Sequence, residues 1–118
     1  NKQNIIIPGW VSKNDLPALL SMASVFIFPS LYEGFGLPIL EAFACEVPVV
    51  ASRGNCLEEV GGEACLYTNP ENIEEISQNI DKLLYNSDLR NKMIVDGTKR
   101  LGNFSWEKSA QETWDILH

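Results

Sequence analysis

The chain has 118 residues, which suits one domain of ordinary size, and 45% of them are apolar, enough to build a hydrophobic core. Its formal net charge of -7 argues against a nucleic-acid backbone or an anionic membrane as a partner of this chain alone. No apolar run approaches the roughly 20 residues that cross a bilayer, and residues 1–4 show no signal-peptide pattern.

The cysteine pattern argues against two kinds of site. Cys45, Cys56 and Cys65 are odd in number and lack C-x-x-C spacing, and His118 is the only histidine. We therefore expect neither a disulfide framework nor a zinc site, and we interpret the thiols as small buried residues. A cytoplasmic, reducing compartment is the predicted location.

Apolar runs predict about four strands. They are residues 4–7, stopped by Pro8-Gly9, then Val25–Phe28, Val47–Ala51 and Ala64–Tyr67. Because the runs are continuous rather than alternating, they favour a parallel sheet with both faces covered. A doubly wound sheet normally has about five or six strands, so we expect residues 1–118 to be one domain that is incomplete at its N-terminal side.

Helical spacing of apolar residues predicts helices between and after these strands. They begin at an Asx cap near Asn14-Asp15, after Pro38, at Cys56, near Glu71, at a Ser87-Asp88 cap and at Ser105. The predicted fold class is therefore α/β, with a Rossmann-like parallel sheet and helices on both faces.

The passage from strand 25–28 into the next helix carries the candidate site. Open α/β sheets bind ligands beyond the carboxyl ends of their strands. Gly34 and Gly36 permit close backbone approach, and Pro38 fits a first helical turn. The free amides around Gly36, Leu37 and Ile39 would then suit a phosphate.

Two glutamates flank this turn. Glu41 lies about one turn into the helix, where a carboxylate can accept two hydrogen bonds from a vicinal diol such as that of a ribose. Glu33 lies before the turn and can bind another hydroxyl or balance charge at a reacting carbon. Two simpler interpretations stay open, in which Glu41 only favours the helix dipole and Glu33 is a solvated loop residue.

The segment from Glu33 to Glu41, Glu-Gly-Phe-Gly-Leu-Pro-Ile-Leu-Glu, resembles the Glu-x7-Glu signature of retaining glycosyltransferases of family 4, the group 1 glycosyltransferases with a GT-B fold. The resemblance covers nearly the whole chain. Strand 25–28, the segment 41–52, the helix at 57–62 and Phe104-Ser105-Trp106 resemble further parts of that family.

The resemblance implies roles for individual residues. Glu33 would contact the donor sugar near the reacting carbon and is the candidate catalytic residue, whereas Glu41 would hold the ribose hydroxyls of a nucleotide-sugar. The backbone of residues 34–37, which are Gly34, Phe35, Gly36 and Leu37, would face the sugar and diphosphate. Gly9 and Val11 belong to a stretch that resembles the loop beside the base.

The chain also departs from the family pattern. The family often has glycine at position 46, so we expect Glu46 to be accommodated by a turn that keeps φ negative. The acceptor-binding N-terminal domain is missing, as are the arginine and lysine that usually contact the diphosphate. Lys13 and Arg53 are the nearest basic residues, but neither matches those positions, and a surface role is expected for both.

The resemblance implies the donor-binding part of a retaining hexosyltransferase, which moves a hexose from a nucleoside diphosphate sugar to a hydroxyl acceptor. We expect no metal and no other cofactor, no nucleic-acid partner, little activity from this chain alone, and membrane contact only in the full-length enzyme. The two alternative functions are those of a nucleotide-sugar 2-epimerase of GT-B architecture and a non-catalytic α/β binding module.

Overall fold

The computed structural model describes residues 5–7, 9, 11–12, 14–29, 37–53 and 56–102. Within these ranges lie helices α1 (Leu16–Met22), α2 (Leu37–Ala44), α3 (Cys56–Gly61), α4 (Ile73–Tyr85) and α5 (Ser87–Leu101), and strands β1 (Phe26–Phe28), β2 (Val49–Ser52) and β3 (Cys65–Thr68). A 3₁₀ turn, Gly62–Ala64, joins α3 to β3. The predicted helix from Ser105 falls outside the described residues.

The three described strands form one parallel sheet in the order β1-β2-β3. Val50 of β2 pairs in register with Ile27 on one side and with Leu66 on the other. Helix α2 connects β1 to β2, and α3 connects β2 to β3, as parallel neighbours require. The predicted α/β class with a parallel sheet is confirmed.

The predicted strand at residues 4–7 is wrong for its described part. Ile5, Ile6 and Ile7 have no strand structure and are 65%, 84% and 86% exposed. Isoleucine favours a strand only where a neighbouring strand supplies hydrogen bonds and apolar contacts. No described strand pairs with these residues, so their β propensity is not expressed.

Helices cover both faces of the sheet. Val49 and Ala51 of β2 point to one face, where they pack with α2 and α3. Val50 points to the other face, where it packs with Leu83 of α4 and Met93 of α5. This alternation along a fully buried strand explains why its sequence is continuously apolar.

Helix α5 lies across the amino ends of the strands. Near its start, Arg90 donates a hydrogen bond to the carbonyl of Ser24, just before β1. Near its end, the Nε of Arg100 donates to the carbonyl of Val60, in the last turn of α3, at 2.9 Å. Between them, Gly97 packs against Phe43 at the end of α2. The carboxyl edge of the sheet is therefore left to other contacts.

Helix caps agree with the sequence in type more than in position. Asn86, not Ser87 or Asp88, caps α5, because its side chain accepts a hydrogen bond from the amide of Leu89 at 3.1 Å. Asp15 precedes α1 but makes no side-chain cap. Its carboxylate instead accepts a hydrogen bond from the hydroxyl of Ser12 at 2.9 Å.

Helix α2 ends in a Schellman motif that places Glu46 in the left-handed region. The amide of Val47 donates to the carbonyl of Ala42 at 3.0 Å, and the amide of Glu46 donates to that of Phe43 at 3.1 Å. This pattern requires positive φ at Glu46, which is 59°. The expectation of a negative φ is wrong, because burial of Val47 in the core demands a sharp reversal of the chain.

Replacing Glu46 by glycine should stabilise the fold. A side chain with a Cβ at positive φ costs about 1 kcal/mol or more. Glycine removes that cost, but it also gives the unfolded chain more conformational entropy, which offsets part of the gain in stability. We expect Glu46→Gly to raise the free energy of unfolding by about 0.5–1 kcal/mol in urea titrations. Glu46→Ala is the control and should gain nothing; equal stability of the two variants would contradict the backbone explanation.

Candidate functional site

A groove between α1 and α2 is the candidate site. It encloses about 420 Å³ and combines an apolar lining with a single carboxylate. The lining residues are Leu16, Pro17 and Leu20 from α1 and Leu40, Glu41, Ala44 and Cys45 from α2 and its end. At one point the two walls meet, where the thiol of Cys45 lies 3.6 Å from the carbonyl oxygen of Pro17.

Glu41 is the polar residue of an otherwise apolar helix. Its neighbours Leu40 and Ala42 are buried, whereas Glu41 is half-buried and faces the groove. A carboxylate held beside apolar walls binds hydroxyl groups more strongly than one in bulk water, since fewer water molecules compete for it. The arrangement therefore suits a ligand with a hydrophobic body and adjacent hydroxyls.

The structure describes four of the eight predicted site residues. Glu41 lies on α2 and lines the groove, and Leu37 is the first residue of α2, with only its backbone described. Gly9 has φ of +74°, with open space where a Cβ would lie, and Val11 is half-buried. Residues 33–36, which are Glu33, Gly34, Phe35 and Gly36, lie outside the described residues.

Val11 leads directly into the α1 side of the groove. It precedes Ser12, whose carbonyl accepts hydrogen bonds from the amides of Asp15 and Leu16, each at 3.1 Å. Leu16 then begins α1 and lines the groove. The segment that was predicted to lie beside a base is thus continuous with one groove wall.

The α1 wall is the part of the groove that the sequence did not reveal. Leu16 and Leu20 have helical spacing, which indicates an apolar face but does not tell which surface that face meets. In the structure Leu20 is buried and Leu16 is half-buried, and both line the groove. Their spacing indicated a core helix, and only the packing of α1 on α2 makes this helix one wall of a groove large enough for a ligand.

Arg53 is committed to structural contacts. Its Nη2 donates to the carbonyl of Tyr67 at 3.0 Å and forms an ion pair with Oε1 of Glu75 at 3.0 Å. The same Glu75 oxygen accepts a hydrogen bond from the amide of Asn69 at 3.0 Å. Arg53 therefore ties the end of β2 to the corner between β3 and α4, a structural contact beyond the surface role expected for it.

A second buried cluster lies where α3 turns into β3. A Cβ at Gly61 would lie 2.6 Å from the hydroxyl of Tyr67 and 2.7 Å from the Sγ of Cys65, so this position has no space for a side chain. The Tyr67 hydroxyl donates to the carbonyl of Gly62 at 2.7 Å. Burial raises the pKa of the Cys65 thiol to about 12. Burial is also the main cause that raises the pKa of Tyr67, and the neighbouring Cys65 is the second cause.

The described part of the chain has neither a metal-binding cluster nor a membrane-spanning helix. No group of three or more histidine, cysteine, aspartate or glutamate residues there could hold a metal ion. Likewise, none of the helices in the described ranges is long and apolar enough to cross a membrane. Cys45 and Cys65 are free thiols.

The sequence comparisons identify the family to which the chain belongs. Residues 1–100 match the family of "Glycosyl transferases group 1". Because this match spans most of the chain, the chain belongs to the group 1 glycosyltransferase family. The resemblance found at Glu33–Glu41 is confirmed at the level of the family.

Curated relatives are named as mannosyltransferases. The chain is 43% identical over 105 residues to "O-antigen chain mannosyltransferase B" of Escherichia coli, covering 89% of this chain and 28% of that protein. It is 37% identical over 107 residues to "MMP alpha-(1->4)-mannosyltransferase" of Mycolicibacterium hassiacum, covering 87% and 26%. The chain thus spans less than a third of the length of these relatives.

Solved structures of glycosyltransferases share the fold. Sucrose-phosphate synthase from Thermosynechococcus elongatus matches with a TM-score of 0.81 and 28% identity, covering 92% of this chain and 28% of that one. The C-terminal domain of the group 1 glycosyl transferase LpcC from Francisella tularensis matches with a TM-score of 0.72 and 27% identity, covering 83% and 51%. These likenesses support the predicted GT-B architecture and favour neither the epimerase nor the binding-module alternative.

The raised pKa of Cys65 predicts that this thiol is inert in the folded protein. Thiolate is the reactive form, and a pKa of about 12 leaves almost none of it at pH 8.5. In peptide-resolved mass spectrometry we expect iodoacetamide to modify Cys45 within the time in which Cys65 stays unmodified. Urea should expose both equally, and native labelling of Cys65 at the rate of Cys45 would contradict its burial.

The raised pKa of Cys65 also makes the stability of the fold depend on pH. A thiol whose pKa is 9.0 in the unfolded chain and about 12 in the fold favours folding below pH 9, and this contribution is lost as the pH rises towards 12. Cys65→Ala should therefore lose less stability than the parent protein between pH 8 and pH 11. A parallel decline of the two thermal unfolding midpoints would contradict the assignment.

Proposed function

We propose that this chain is the donor-binding part of a longer hexosyltransferase, which transfers a hexose from a nucleoside diphosphate sugar to a hydroxyl acceptor with retention at the anomeric carbon. The observation that carries the proposal is Glu41, a half-buried carboxylate in an apolar groove of about 420 Å³. A nucleoside has the matching chemistry, with a flat apolar base and a vicinal diol on its ribose.

Within this proposal, each part of the groove has a role. Glu41 accepts hydrogen bonds from the two ribose hydroxyls, as a carboxylate with two oxygens can. Leu16, Pro17 and Leu20 of α1 form the apolar wall that excludes water from those bonds. Gly9 and Val11, on the approach to α1, lie beside the base.

The diphosphate is assigned to the start of α2. This helix follows the carboxyl end of β1 and begins at Leu37, where amides without helical partners carry partial positive charge. Pro38 in the first turn leaves no amide unsatisfied at its own position. As the bond to the sugar breaks, negative charge grows on the leaving diphosphate, and these fixed amides stabilise it without rearranging. Glu33 is proposed to act at the sugar.

Mannose is the proposed sugar, because the two curated relatives named above are mannosyltransferases. The acceptor is proposed to bind a part of the enzyme outside this chain. The transfer reaction is proposed to need no metal. Transfer by the full-length protein from GDP-mannose, in comparison with UDP-glucose and ADP-glucose, tests the donor. EDTA should leave the rate unchanged, and NMR of the anomeric proton in the product tests retention.

Substitution of the two signature glutamates should separate binding from chemistry. Glu41→Ala should raise the Kd for the nucleoside diphosphate about 10-fold or more, since a charged hydrogen bond contributes about 1.5–3 kcal/mol. Glu33→Ala should mostly lower kcat, with a smaller effect on the Kd. Both are measured on the full-length protein by calorimetry and by steady-state kinetics.

The matched control is Glu46→Ala, which removes an exposed glutamate five residues further along the chain. It should leave donor binding unchanged. A 2′,3′-dideoxy nucleotide should bind the parent protein and Glu41→Ala alike, because it lacks the hydroxyls in question. An undiminished donor affinity of Glu41→Ala would rule out the ribose assignment.

Residues 1–118 by themselves should transfer no sugar. The proposed acceptor site lies outside them, and so do the arginine and lysine that the family resemblance implies at the diphosphate. The purified chain is incubated with donor and acceptor, and product is followed by mass spectrometry, with the full-length enzyme as the positive control. Turnover by the isolated chain would refute the proposed division of the site.

A further inference from the structure

Gly97 of α5 packs directly against Phe43 of α2. A Cβ at this position would lie 2.8 Å from Cδ1 and 3.2 Å from Cγ of the Phe43 ring. Both residues are buried, and Phe43 is only 3% exposed. The absence of a side chain at Gly97 therefore lets the two helices approach more closely than any other residue would allow.

Phe43 and Glu41 lie on opposite sides of α2. Successive residues of an α-helix are rotated by about 100°, so residues two apart point in nearly opposite directions. Phe43 meets α5, whereas Glu41 faces the groove and α1. A displacement of α2 away from α5 therefore carries Glu41 towards the α1 wall.

The groove is the direction in which α2 can move most easily. Ile39 and Ala42 are fully buried in the core formed with β2 and α3, and close-packed interiors yield little. The groove, in contrast, is open space of about 420 Å³. A force on Phe43 from the α5 side is therefore relieved by narrowing the groove.

We propose that the contact between Gly97 and Phe43 sets the width of the α1–α2 groove, and that both are positioning residues for its ligand. They touch no ligand themselves and act by fixing where Glu41 lies relative to α1. The identity of the ligand rests on the proposed function, but the control of groove width does not.

Cys45 gives a measurement of groove width that needs no ligand. Its thiol lines the groove and lies 3.6 Å from the carbonyl oxygen of Pro17 on the opposite wall. In the full-length protein, Gly97→Ala should slow iodoacetamide labelling of Cys45 at least 3-fold, followed peptide by peptide. Alanine has a higher helix propensity than glycine, so the substitution should not loosen α5. Loosening would in any case speed the labelling of Cys45 rather than slow it.

Two variants at Phe43 test the contact from its other side. Phe43→Val removes Cδ1 and Cε1, so added to Gly97→Ala it should return Cys45 labelling to within 2-fold of the parent rate. Alone, it should let α2 relax towards α5 and speed labelling, a result that does not depend on Gly97→Ala folding. Leu83→Val is the matched control, since Leu83 is buried in the core on the other face of the sheet; it should leave the rate unchanged.

Donor kinetics of the full-length protein supply the second readout. Gly97→Ala should raise KM for the nucleoside diphosphate sugar about 5-fold with kcat within 2-fold of the parent, and Phe43→Val should reverse the change. A purely structural role would instead lower the amount of active protein, and so the apparent kcat, at unchanged KM.

The outcomes separate the two proposals. Changed Cys45 labelling with no donor bound by any variant supports the control of groove width and refutes the proposed function. Normal donor binding by the parent, with labelling and KM both unaltered in Gly97→Ala, refutes the control of groove width. Failure of Phe43→Val to reverse the effect of Gly97→Ala also refutes it.

Discussion

The course of α5 is the constraint on which the arrangement of the other described elements depends. It reaches Ser24 before β1 through Arg90 and the end of α3 through Arg100, and at Gly97 it lies against α2. One helix thus fixes the segments that enter all three described strands. The contacts of α5 lie at the amino edge of the sheet, whereas parallel sheets bind ligands at the carboxyl edge.

Much of this fold could be predicted from local patterns, and the failures among the apolar segments have one cause. The strand Val49–Ser52 is buried on both faces, so its apolar run was enough to predict a buried strand at this position. Ile5–Ile7 are also a continuous apolar run but have no partner among the described strands. Ile73 continues the apolar stripe of α4, yet it is 81% exposed at the first residue of that helix. Composition records what a segment prefers, and neighbours decide whether it is satisfied.

The candidate site divides in the same way. Glu41 could be identified from spacing, because the signature and the helix periodicity both lie within one short segment. The α1 wall could not, since Leu16 and Glu41 meet only through tertiary packing. Glu46 shows a limit of another kind. Its residue type disfavours positive φ, and the observed 59° follows from the burial of Val47 beyond it.

The unpaired edge of β1 has a consequence for handling the chain in solution. Within the described residues β1 is an outer strand, with Ile27 39% exposed on it, and an unpaired edge is a template for pairing with another chain. Three exposed isoleucines at residues 5–7 add uncharged apolar surface with high β propensity. The chain's net negative charge opposes such association at low ionic strength, and salt weakens that protection.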